Sequence, residues 1–186
     1  MDQKQMSLVV VVVIVAVAVA AVAFFASRKR RSRKLRERFG PEYDRVLRQE
    51  GDARKAEGVL EFREKRREKF IIRPLPAADK SGFTARWNEV QARFVDDPTG
   101  AVTVADSLVT ELMQARGYPI GEFDQRAADI SVDHPLVVEN YRAAHEVATR
   151  HSAGKASTED FRRAMVHYRV LFQELLDDRQ TYKKGA

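Results

Sequence analysis

From Leu8 to Ala26 the chain runs nineteen consecutive residues without a charge or a hydroxyl. At about 1.5 Å of rise per residue, a helix of that length nearly matches the ~30 Å hydrocarbon slab of a bilayer. Valine and isoleucine dominate Leu8 to Ile14, which in water favours a strand. A lone strand in lipid leaves every backbone N–H and C=O unpaired, so the pattern predicts a membrane-spanning helix over 8–26, within an anchor segment 1–26. Beyond it, apolar positions recur at helical spacing, and no stretch alternates for long enough to make a strand.

Gly40-Pro41 interrupts any continuation of the anchor, and Pro41 suits the first position of a short helix to about Gln49. Gly51 stops that helix, and Asp52 caps a second from about Ala53 to Lys69. The later half of the second helix, Glu61 to Lys69, is almost wholly charged. Glu61 precedes Lys65 by four and Glu64 precedes Arg67 by three, the pattern of a solvated face laced by local ion pairs. Pro74 and Pro76 then mark a linker, whose Phe70, Ile71, Ile72 and Leu75 are too apolar for a free tether and predict docking along the body.

In the body, Phe83, Trp87, Val90 and Phe94 share one face of a helix from about Ser81 to Val95. Asp97-Pro98 opens the next, about 98–115, with Val102, Ala105, Leu108 or Val109, and Leu112 inward and Gly117 as its left-handed cap. A short helix follows over Phe123 to Ile130. Asp133-His134-Pro135 is expected to cap and start another, running to about Arg150 and stopped by Gly154. Ser157-Thr-Glu-Asp160 resembles a capping box with Asp in place of Glu, and opens a last helix to about Asp177. That helix carries the strongest apolar stripe, Phe161, Met165, Tyr168, Leu171 or Phe172, and Leu175. The expected fold class is all-α. It comprises a transmembrane helix, a basic juxtamembrane segment 27–39, a charged helical stalk with linker 40–76, a bundle of about five helices over 77–178, and a tail 179–186.

A net charge of +6 and a pI near 9.7 invite a nucleic-acid reading until the charge is located. Residues 27–38 hold eight lysines and arginines (Arg28, Lys29, Arg30, Arg31, Arg33, Lys34, Arg36 and Arg38) and one acid, whereas residues 74–186 are net acidic. Basicity concentrated just after an apolar run belongs on anionic headgroups, where each Lys or Arg contributes up to about 1 kcal/mol. It also sets topology, with the N-terminus outside and the C-terminal domain cytoplasmic. The competing reading is a cleaved secretory signal, but that needs its positive charge before the apolar core, and here the order is reversed. The absence of cysteine agrees with a reducing compartment.

Residues in catalytic or metal-binding patterns are sparse. His145 and His151 flank a zinc-protease-like string but are six apart, on opposite sides of a helix, where a shared metal needs four. No phosphate loop and no nucleophile elbow are present. The Trp, Met and aromatic stripe has helical core spacing rather than that of a cofactor box, so no metal, cofactor or catalytic residue is assigned. The one polar constellation is the turn-rich hinge 117–135. It gathers Tyr118, Asp124, Arg126, Asp129, Asp133 and His134, which we take as a candidate partner or ligand surface.

The strings Arg38-Phe-Gly-Pro-Glu-Tyr-Asp-Arg45, Arg93-Phe-Val-Asp-Asp-Pro98, Arg116-Gly-Tyr-Pro119 and Gln125 to Pro135 resemble those of a family of uncharacterised small bacterial membrane-associated proteins, over most of residues 38–176. The resemblance implies a bacterial, single-pass, helical protein and carries over no site. Together these readings predict a helical binding or scaffolding module held at the cytoplasmic face of a bacterial membrane, with the bilayer and another protein as partners. Two alternatives stand beside it: a small-molecule enzyme with its site in the hinge, and a tethered sensor contacting nucleic acid through the basic segment. The sequence leaves the oligomeric state open.

Overall fold

The computed structural model describes residues 3–152 and 156–177, with side chains from Ile14 to Arg150 and from Ala156 to Asp177. The described residues are all-α: α1 (Gln3–Phe39), α2 (Pro41–Glu50), α3 (Ala53–Arg67), α4 (Ala77–Arg93), α5 (Pro98–Arg116), α6 (Phe123–Ile130), α7 (Val138–Ser152) and α8 (Thr158–Asp177). The chain divides into two compact units, Met1–Arg38 and Phe39–Ala186.

In the first unit, apolar and basic segments form one unbroken helix. Ile14, Val15, Val17, Val19, Val22, Phe24 and Phe25 are all more than half exposed along it. Among the described residues no helix is long and apolar enough to cross a membrane. The side chains of Leu8 to Val13 lie outside those described, and the remaining stretch, Ile14 to Ala26, spans only about 20 Å at 1.5 Å per residue.

In the second unit, helix boundaries follow local signals. Gly51 adopts φ 66° and ends α2, and the Asp52 carboxylate accepts the Lys55 N–H at 3.0 Å to start α3. Asp97 accepts the Gly100 N–H at 2.8 Å, with Pro98 in the first turn of α5. The capping box forms with its substituted acid: the Ser157 N–H donates to Asp160 Oδ2 at 2.9 Å, and the Asp160 N–H donates to Ser157 Oγ at 3.2 Å. The Gly154 stop and the tail 179–186 lie outside the described residues.

Three boundaries differ from expectation. Helix α4 starts at Ala77, four residues early, because the Pro76 carbonyl accepts the Lys80 N–H at 3.0 Å and the intervening Ala77-Ala78-Asp79 are compatible with a helix. Helix α7 starts at Val138 rather than beside His134. Residues 131–137 make turns instead, with the His134 carbonyl accepting from Val137 and Val138 at 3.2 Å, and the Asp133 carboxylate is engaged elsewhere. The expected stalk is not a separate stalk either, since α2 and α3 belong to the same compact unit as α4–α8.

The main apolar cluster draws on α4, α5, α6, α7 and α8, with Leu75 from the linker. Trp87 of α4 stacks on Phe172 of α8 with ring centroids 4.7 Å apart, and the fully buried Leu108, Leu112, Tyr141, Tyr168 and Leu171 belong to the same cluster. The Tyr168 hydroxyl donates to Asp106 at 2.9 Å, and the buried Arg116 donates to the Leu175 carbonyl at 2.6 Å, tying α5 to the end of α8. The linker docks as expected through Phe70, Ile72 and Leu75, though Ile71 turns outward. Gly117 is needed here for two reasons: its φ is 95°, and a Cβ there would sit 2.3 Å from the Ile71 carbonyl oxygen.

Candidate functional site

Of the six predicted residues of the hinge 117–135, Tyr118, Asp133 and His134 come together, the Tyr118 and His134 rings 6.5 Å apart and His134 buried. The Tyr118 hydroxyl donates to Asp133 at 2.8 Å, and Arg67 of α3 pairs with the same carboxylate. Burial first, and the Asp133 charge second, push the Tyr118 phenol far above its ordinary value, so it holds its proton and serves as a donor. Asp129 is buried and takes Arg66 of α3 at 2.8 Å together with Gln125 at 2.8 Å. Arg126 does not pair with Asp129 as its spacing suggested. It donates to the Tyr141 hydroxyl at 3.1 Å and the Gly121 carbonyl at 2.8 Å. His134 is buried, with Nδ1 3.2 Å from Glu174 of α8. Asp124 alone of the six is exposed and stands apart.

This geometry shows what the charged half of α3 does. Arg63, Arg66 and Arg67 are not part of a solvated face; each reaches across to the hinge, Arg63 donating to Ser131 at 3.2 Å. Arg63 also donates to Glu42 of α2 at 2.6 Å, and Glu42, fully buried, accepts from Arg45 at 2.8 Å and from Arg142 of α7 at 2.9 Å. Burial alone would raise the Glu42 carboxyl. The hydrogen bonds from Arg45 and Arg63 and the charge of Arg142 outweigh it and hold the group below the usual carboxylate range. Burial lowers Arg142 in turn, against the pull of Glu42. Sequence reasoning missed this cluster, because Glu42 and Arg142 are a hundred residues apart and neither carries a local motif.

A surface cleft of about 410 Å³ lies beside the hinge, lined by Glu122, Phe123, Asp124, Arg142, His145, Glu146 and Thr149. The His145 imidazole stacks on Phe123 at 3.6 Å, and its Nδ1 is buried without a hydrogen-bond partner; burial lowers its basicity. The aromatic floor of the cleft is therefore self-covered, Tyr141 lying 4.8 Å from the same Phe123 ring. Among the described residues no group of three or more His, Asp or Glu is arranged to hold a metal ion. The hinge carboxylates Asp129 and Asp133 are taken up by Arg66 and Arg67 of α3, and the Tyr118 hydroxyl is spent on Asp133. The chemistry that this arrangement supports is attachment of the α2–α3 hairpin to the bundle.

The basic segment presents Lys29, Arg30, Arg31, Arg33, Lys34 and Arg36 as exposed side chains, with Arg28 and Arg38 half-buried. Its one acid, Glu37, pairs with Arg33 at 2.7 Å. Comparison with known protein families, curated proteins and solved structures gives no match.

Proposed function

We propose that this chain is a membrane-anchored helical binding or scaffolding module. Residues 8–26 lie in the bilayer, 27–38 rest on anionic headgroups, and the second unit meets a protein partner at the cytoplasmic face of a bacterial membrane. One observation carries the reading: seven large apolar side chains between Ile14 and Phe25 stand exposed on a helix that turns basic without a break. Apolar surface on that scale is costly in water, and lipid relieves the cost. The charge order favours a cytoplasmic C-terminal side. The mechanism is confinement, since two-dimensional tethering raises the effective concentration of the module near partners in the same membrane. An enzymatic reading has less support, because Tyr118, Asp129 and Asp133 are committed to structural bonds.

Alkaline carbonate extraction with protease protection tests the reading. The full chain should stay with the membrane pellet, deletion of residues 1–26 should release it, and protease should cut the second unit only after spheroplasts are lysed. Soluble mature protein beginning near Ser27, or a tail digested in intact spheroplasts, would overturn it.

A further inference from the structure

The cations of α3 divide between an inner and an outer set, the outer one including the exposed Arg54. Its inward-turned arginines, Arg63, Arg66 and Arg67, pair with Glu42, Asp129 and Asp133. Lys55, Lys65 and Lys69 are exposed, and Phe62, also on the outer side, is 65% exposed. Lys55, Phe62 and Lys69 recur at intervals of seven, two turns of helix, so they fall in one row with Lys65 beside it. The helical path continues to Lys69 through turn bonds from Glu68 to the Glu64 carbonyl and from Lys69 to the Arg66 carbonyl. The acids of the same segment lie off the Lys55–Phe62–Lys69 row, with Glu61 and Glu68 the neighbours of Lys65. Glu57 is buried against the Tyr43 hydroxyl at 3.1 Å, Glu61 and Glu64 are half-buried, and Glu68 projects about 120° from Phe62 at 100° per residue. The acid nearest the row, Asp52, caps the helix through the Lys55 N–H. The row of Lys55, Phe62 and Lys69 itself holds no acid, and Glu61 and Glu68 flank it on the side of Lys65.

We infer that this outer face of α3 is a second lipid contact, with its lysines on anionic headgroups and Phe62 inserted at the headgroup–acyl boundary. The inference rests on the proposed anchor and its headgroup segment, which ends at Arg38, seventeen residues before Lys55. Charge complementarity selects an anionic surface. An exposed aromatic ring at the centre of the row fits a bilayer interface, where Phe and Lys of amphipathic helices lie, better than a phosphate backbone. Three lysines and one ring bind weakly alone, so the contact depends on the tether for its occupancy.

The chain lacks cysteine, so a single introduced thiol can report this face. A Cβ at Gly58, one turn before Phe62, meets nothing within 4 Å. Full-length Gly58→Cys, carrying a polarity-sensitive fluorophore, is incorporated into phosphatidylglycerol-containing vesicles doped with spin-labelled lipid. Asn88→Cys, exposed on α4, serves as the comparison site. The label at 58 should be quenched and that at 88 spared. Charge reversal at Lys55, Lys65 and Lys69, or phosphatidylcholine alone, should reduce quenching at least about twofold, and Phe62→Ser should reduce it further. Incorporated protein without quenching at 58, or with equal quenching at 88, overturns this inference and leaves the anchor standing. Failure to incorporate overturns both. A label that responds to a nucleic-acid duplex and not to lipid replaces the bilayer with a different partner and overturns it as well.

Discussion

The α4–α8 bundle and the α2–α3 hairpin belong to one compact unit, yet they are held by different physics. The bundle closes over a continuous apolar cluster, to which each of its helices contributes. The hairpin's buried Tyr43, Val46, Ala56 and Leu60 lie outside that cluster, and its side-chain bonds to the rest of the unit include Glu42–Arg142, Arg63–Ser131, Arg66–Asp129 and Arg67–Asp133. Apolar packing tolerates conservative exchange. An ionic seam does not, because removing one partner strands the other in a poorly hydrated place.

The sharpest way to break the seam is at its shared acceptor. Glu42→Gln takes the counter-charge from three arginines and should cost about 3–5 kcal/mol. Amide exchange should accelerate in α2 and α3 well before α5 or α8. Uniform acceleration through the bundle would mean that hairpin and bundle are held as one. Leu112→Ala, at a fully buried position in α5, should cost a comparable ~2–5 kcal/mol, but spread over the whole bundle and visible as a lower urea midpoint. Tyr118→Phe removes one donor to the Asp133 carboxylate and should cost about 1.5–3 kcal/mol.

Acid should act on the seam in the same direction. Glu42 has a lower pKa folded than unfolded, so its contribution is complete above the ordinary carboxylate range and is lost as pH falls through the depressed folded value. Hairpin amides should therefore lose protection first in an acid titration followed by exchange. Smallest of all, Arg86→Ala breaks a half-exposed pair with Glu111 and should shift stability by no more than about 1 kcal/mol in thermal melts.

Much of the bundle was legible because its information is local. Apolar residues three and four apart name a helix and its inner face, and Asp52, Asp97 and Ser157 mark starts that need no distant partner. The seam was not legible for the complementary reason. Glu61 to Lys69 reads as alternating charge, and sequence spacing cannot tell that Arg66 and Arg67 turn to Asp129 and Asp133 while Lys65 turns away. Asp133 before His134-Pro135 has the composition of a helix start, but Tyr118 at the far end of the hinge and Arg67 of α3 claim its carboxylate first. Of the hinge residues, Tyr118 and Asp133 bond to each other, whereas Asp129 and Asp133 face Arg66 and Arg67 of α3, a pairing that no spacing within the hinge announces.

Trp87, the sole indole in the chain, lies against Phe172 in the interior of the bundle and remote in sequence from the hairpin. Its emission is therefore an intrinsic optical gauge of α4–α8 closure. Unzipping of the hairpin should leave the spectrum blue, and only separation of α4 from α8 should shift it red, so the two halves of the unit can be timed separately in one cuvette without any added dye.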